Sequence, residues 1–203
     1  MTPEQWLGLA TVCTLGAMSP GPSLAFVMRN TMSGGRRIGL ITAIGHGMGI
    51  GLYAFAFVAL LSGMLAAIPS LESALRWTGI VLLIIFGGLL IRSSFRKEAE
   101  SIVSEPDVIE RNPFAAGFAI AFFNPKIAAW MVAVYSQFVE VDSSLLTMAG
   151  MGGLAFAIDA TWYAVVAVLF SSTLATSLQN HALTVDRIVG ALLILSGILL
   201  III

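Results

Sequence analysis

The 203 residues are 58% hydrophobic and only 10% charged, with a net charge of −1 and a mean hydropathy of +0.97. A typical soluble domain carries about 25% charged residues, so this chain could not wet its own surface, which excludes a soluble enzyme and a disordered chain. Near-neutrality excludes a nucleic-acid binder, whose phosphate contacts need a basic excess.

Charges punctuate the sequence at long intervals. Glu4 and Arg29 bracket 24 uncharged residues, Arg37 and Glu72 bracket 34, and Asp159 and Asp186 bracket 26. A bilayer core of about 30 Å takes about 20 helical residues. Backbone groups in lipid must bond within their own segment, and the period-2 alternation of a membrane barrel is absent. The chain therefore reads as all-α and integral to the membrane. Six transmembrane helices are predicted at 5–28, 39–63, 71–92, 114–138, 145–170 and 184–203. Arg76, Arg92 and Arg187 at span edges would snorkel to the headgroups, and Trp6 and Trp77 would anchor the interfaces.

Eight basic residues fall on one side of this topology: Arg29, Arg36, Arg37, Arg92, Arg96, Lys97, Arg111 and Arg187. Only Arg76 falls on the other. The positive-inside rule puts the eight in the cytoplasm and both termini outside it. The stretch 93–113 mixes both signs with Pro106 and Pro113 and reads as a solvated cytoplasmic linker.

That linker divides two halves, 1–92 and 114–203, that resemble each other. A shift of 105 lays Ser19-Pro20 on Asn124-Pro125, and Thr42, Gly45 and Gly47 on Thr147, Gly150 and Gly152. A shift of 111 lays Arg76 and Gly79 on Arg187 and Gly190. Each half has three spans, an odd number, so the second enters the membrane from the opposite face. This is the inverted-repeat plan of many transporters, with the substrate site at the midplane between repeats. Gly45, Gly49, Gly47 and Gly51 form two overlapping GxxxG pairs, read as close helix packing.

The chemistry gathers at two places. Pro20-Gly21-Pro22 and Pro125 fall inside apolar spans, where each proline removes a helix hydrogen bond. Such breaks are tolerated where they are buried in protein or line a cavity. The freed helix N-terminus favours an anion such as a substrate carboxylate. Ser19 and Asn124 precede the breaks and are candidate caps. Lys126 lies 12 residues into its span, about 18 Å along the helix, and Asp159 lies 14 residues into its own. A charge near the bilayer centre costs roughly 2.5–3.5 kcal/mol on the lenient scale, so each needs a reason. A structural ion pair is one, and a substrate or proton site is another; the two are compatible. Burial disfavours the ionised form of Asp159 and a nearby cation favours it. A substrate or proton site is the sharper reading. Trp130 is one turn beyond Lys126, and Trp162 and Tyr163 flank Asp159 at three and four residues; all three are candidate pocket walls. His46 stays open between a proton relay and packing. Asn30 and Gln137, near span ends, read as solvated.

Other chemistries lack their residues. Cys13 is the single cysteine, so no disulfide framework, CxxC pair or thiolate cluster exists. His46 and His181 are too far apart to suggest a metal site. Neither the GxSG context of a rhomboid-like protease nor a GxxxxGK[ST] phosphate loop occurs, which argues against an enzyme and against direct ATP use.

Together the residues resemble the lysine exporter family, LysE/RhtB. The matching features are Ser19-Pro20-Gly21-Pro22, Gly34-Gly35-Arg36-Arg37-Ile38-Gly39 leading to Gly45 and Gly49, Asn124-Pro125-Lys126 with Gln137-Phe138, and Asp159 before Trp162-Tyr163. The resemblance covers essentially the whole chain. It implies a multi-pass bacterial inner-membrane exporter of amino acids or related small zwitterions, driven by the proton gradient, without a cofactor and forming homodimers amid membrane lipid. It also implies that Pro20, Gly21, Pro22, Asn124, Pro125 and Lys126 shape the central site. Asp159 would hold the substrate ammonium or the coupling proton. The alternative is a metal or inorganic-ion exporter of related architecture.

Overall fold

In the computed structural model, four helices begin on a proline: α1 (Pro3–Met18), α2 (Pro22–Ala67), α4 (Pro113–Phe122) and α5 (Pro125–Ala133). Between them lies α3 (Leu71–Arg96); a 3-10 turn (Tyr135–Phe138) and α6 (Leu145–Leu169) follow α5. The structure describes residues 1–19, 21–68, 70–96, 111–141, 143–169, 184, 187–195, 197–198 and 201. The described residues contain no strand. Most of the linker, Pro20, His181 and part of the sixth expected span lie outside them; residues 187–195 of that span are helical.

Proline suits a first helical position because its missing N–H would be unpaired there anyway. Side chains supply the rest. Thr2 and Gln5 form a reciprocal capping box on α1. Asn112 accepts from the amide of Ala115 at 3.0 Å on α4.

The first span departs from expectation. A single helix over 5–28 is predicted, yet α1 stops at Met18 and α2 restarts at Pro22. Pro22 has no N–H to continue the ladder. The expected loop at 29–38 is also absent. Residues 22–67 are helical except at Gly35, whose φ of 78° and ψ of 176° interrupt the run. An unbroken helix would hold Asn30 and Thr42 about 18 Å apart. Instead the Asn30 amide donates to Thr42 Oγ1 at 3.2 Å. The chain therefore folds back at Gly35, a φ that L side chains rarely adopt. Arg36 and Arg37 open the second limb rather than sit in a loop. The same fold corrects Asn30, which is buried, not solvated. Gln137 is half-buried too, with its amide against Gly79 of α3.

By length and apolarity, Pro22–Ala67 and Leu145–Leu169 suffice to cross a bilayer, and the pair α4–α5 passes as one crossing bent by 51°. The second limb of α2 lies between α4 and α6. A Cβ on Gly45 would overlap the Phe114 carbonyl of α4, and one on Gly49 would stand 2.8 Å from the Phe118 carbonyl. On the opposite face, a Cβ on Gly47 would meet Ala160 Cβ of α6 at 2.7 Å, and one on Gly51 would meet Phe156 Cβ at 2.8 Å. The two GxxxG pairs thus pack two different helices. From the α6 side, a Cβ on Gly152 would meet Phe55 Cβ of α2 at 3.0 Å. Gly87 of α3 and Gly190 likewise abut each other's carbonyls.

Gly45→Val is expected to cost about 3 kcal/mol through overpacking against backbone. The check is thermal unfolding in detergent, with Gly63→Ala as the neutral control, because a Cβ there meets open space.

One end of the bundle is tied by polar contacts. The Met1 ammonium lies 3.6 Å from Glu140 Oε2, and Gln5 Nε2 donates to Glu140 Oε1 at 3.1 Å. Ser62 Oγ donates to the Glu140 carbonyl at 3.1 Å. At α3, Arg187 Nε donates to Ser94 Oγ at 3.0 Å while its guanidinium sits 4.4 Å over the Phe95 ring.

Candidate functional site

The two helix breaks meet. Asn124 ends the break between α4 and α5; its Oδ1 accepts the Lys126 amide at 2.9 Å and caps α5. Its Nδ2 donates to Ser23 Oγ at 3.2 Å, on the first turn of α2. The Lys126 ammonium donates to Ser19 Oγ at 2.8 Å, at the other lip of the first break. A Cβ on Gly21 would stand 3.2 Å from Lys126 Nζ, so the bare backbone there lets the ammonium approach closely. Asn124 and Ser19 are buried. The two broken ends differ in one respect: α5 is capped by its own asparagine, whereas the N-cap of α2, Gly21, supplies no side-chain cap. The first amides of α2 thus keep their donor capacity.

Asp159 is paired with His46, its Oδ2 lying 2.7 Å from Nδ1. Both are buried. Tyr163 packs edge-on against the imidazole at a centroid distance of 4.6 Å and an angle of 64°. Gly47 brings these residues together, since it lets α2 approach α6 at Ala160, next to Asp159. Sequence reading left His46 open. The available signal was a lone histidine in a long uncharged stretch, directly between two packing glycines.

A cavity of about 70 Å³ joins the two clusters. That is room for several waters at roughly 10–15 Å³ each. Its wall includes Ser19, Gly21, Pro22, Asn124, Lys126, Trp130, His46, Asp159 and Tyr163. The Trp130 indole reaches it by lying over Gly16 of α1, where a Cβ would stand 2.9 Å from the ring. Also on the wall, Tyr135 donates to the Met151 carbonyl at 3.0 Å and lies 3.5 Å from Cys13 Sγ.

Nine of the eleven expected residues are thereby accounted for at or beside the cavity, Pro125 as the residue that opens α5. Pro20 lies outside the described residues. Trp162 is a correction. It does not line the cavity; it packs beside Val27, Ala43, Tyr163 and Ala167. Residues three and four beyond Asp159 fall on either side of its meridian, and only the Tyr163 side turns to the cavity. The Trp162 indole N–H is buried without an acceptor among the described residues.

The model of the LysE type translocator family matches residues 14–203. The chain belongs to that family. Among curated relatives, this LysE-type chain is 26% identical to the threonine efflux protein of Escherichia coli (strain K12) over 200 residues, 97% of each chain. It is 25% identical to the leucine efflux protein of Salmonella typhimurium (strain LT2) over 162 residues, 78% of this chain and 71% of the relative. No solved structure matches significantly.

Proposed function

We propose that this LysE-type translocator exports amino acids with neutral side chains from the bacterial cytoplasm, by proton antiport and alternating access. One observation carries the reading: a single cavity holds a lysine ammonium beside two helix breaks and, in the same space, a buried carboxylate–imidazole pair. That is the complement of a zwitterion. The carboxylate would take Lys126 and the uncapped amides of α2, and the ammonium would take the Asp159–His46 pair. The rest of the described wall is largely apolar, with Ile50, Ile127, Met131 and Ala155, and offers no second anion for a cationic side chain. Relatives named for threonine and leucine efflux agree with this class. They lend no support to an inorganic-ion exporter.

The six-span inverted repeat is part of the proposal. A pseudo-two-fold relating residues 105 apart would exchange the contact Gly47–Ala160 with the contact Phe55–Gly152, and both contacts occur. Gly51 and Phe156 are themselves 105 apart and touch, as residues on the axis would. The bundle end that joins Met1, Ser62 and Glu140 supports placing those three segments on one side, here outside the cytoplasm.

The test is export from intact cells. Bacteria expressing the protein and vector controls are loaded with mixed dipeptides, and every amino acid in the medium is followed over time. Faster release of one or a few neutral amino acids is expected. Equal release of all of them, at verified membrane expression, would refute the reading.

A further inference from the structure

We propose that Nε2 of His46 is the atom on which the substrate's ammonium and the coupling proton compete, with Asp159 as the positioning residue that holds the ring. This rests on the amino-acid export reading and deepens it. His46 is 1% exposed and lines the cavity. Its Nδ1 is taken by Asp159 at 2.7 Å, and Tyr163 packs against the ring. Its Nε2 is buried and has no hydrogen-bond partner among the described residues. An unpaired buried polar atom carries the full cost of its lost hydration. A cavity ligand that bonds it recovers that cost.

The chemistry follows from the two nitrogens. With Asp159 ionised, Nδ1–H donates to the carboxylate, so the neutral ring presents a lone pair at Nε2. That lone pair accepts one N–H of a substrate ammonium. With a proton on Nε2 the ring is a cation and a donor, and it repels the ammonium. One site therefore holds either the proton or the amine. Facing the cytoplasm, Nε2–H gives its proton to water and the ammonium bonds the freed lone pair. Facing outward, the substrate leaves and a proton from the outer water takes its place. No bond to the substrate is made or broken covalently.

The other ionisable groups on the described wall are Cys13 of α1, Lys126 of α5, Tyr135 of the 3-10 turn, and Asp159 and Tyr163 of α6. Among these side-chain types and histidine, imidazole is the one that ordinarily changes charge between pH 5 and 8.

The experiment uses the purified full-length protein in detergent, with leucine and threonine as probes. Affinity is read by tryptophan fluorescence, and proton release by calorimetry in two buffers of different ionisation heat. Wild-type affinity should fall roughly tenfold for each unit by which pH drops once the imidazole is protonated, with close to one proton released per amino acid bound there. His46→Asn keeps a donor at the Nδ1 position, and His46→Gln places an amide at the Nε2 position. Both should bind about tenfold more weakly at pH 8 and show no pH dependence from 5 to 8.

Binding without proton release by the wild type at every pH would overturn the proposal, and that measurement needs no variant to fold. Wild-type pH dependence in either His46 variant would overturn it too, and its loss in Asp159→Asn alone would move the proton to the carboxylate. If the wild type binds neither probe and cells export no amino acid, the export reading fails and this inference with it. PH-independent binding sinks only the inference.

Discussion

Asp159→Asn is expected to lower gradient-driven amino-acid export about 100-fold at matched membrane expression. The asparagine carbonyl still accepts from His46 Nδ1, so the 2.7 Å contact between α2 and α6 survives and the fold with it. What is lost is the negative charge facing the ring and the cavity. A hydrogen bond to a charged group is worth about 1.5–3 kcal/mol, and each 1.4 kcal/mol is tenfold. The upper part of that range gives roughly 100-fold, and without the charge nothing steadies an imidazolium through the return half of the cycle. The measurement is release of each amino acid from dipeptide-loaded cells, with protein level checked in isolated membranes. Export at the wild-type rate would remove Asp159 from the mechanism.

Lys126→Gln is expected to raise the apparent KM for export about 10- to 100-fold while changing the maximal rate much less. The ammonium sits on Ser19 Oγ at 2.8 Å and close against Gly21, where a substrate carboxylate would also meet the uncapped amides of α2. Losing a group that binds substrate and transition state alike shows in KM. Lys126→Arg should not restore binding. A planar guanidinium is larger than an ammonium and needs a different approach, and the backbone at Gly21 leaves little clearance. Initial rates in proteoliposomes across substrate concentration separate the two parameters. A wild-type KM in the Gln variant would show that the carboxylate binds elsewhere.

Much of the fold was legible because it follows from burial in lipid. Long uncharged stretches can only be helices there, and the helical segments of the structure lie within the expected spans or extend them. The breaks at Pro22 and Pro125 were legible for a local reason: a residue without an N–H cannot continue a helix. The close approach of helices at Gly45, Gly47, Gly49 and Gly51 was legible because only glycine admits another backbone at such distances.

The turn at Gly35 was not legible. Nothing in Gly34-Gly35 distinguishes a one-residue reversal between antiparallel limbs from a ten-residue loop; the Asn30–Thr42 contact across it is tertiary. The partner of Asp159 was hidden for the same reason. Lys126 and Asp159 were the conspicuous midplane charges, yet 113 residues separate His46 from Asp159, and only the packing of α2 on α6 brings them to 2.7 Å. Trp162 went the other way: its spacing from Asp159 fits a pocket wall as well as that of Tyr163 does, and the neighbouring limb of α2 decides which of the two faces inward.

By itself, then, the sequence determined the solvent this protein lives in, the type and rough extent of its helices, where they break, and which few polar side chains are costly enough to need a purpose. Those are consequences of composition, spacing and backbone chemistry, which act locally. The tertiary structure alone decided which costly groups meet. Pairing depends on how far two helices rotate and slide before their glycines interlock, and no local property of either helix carries that information.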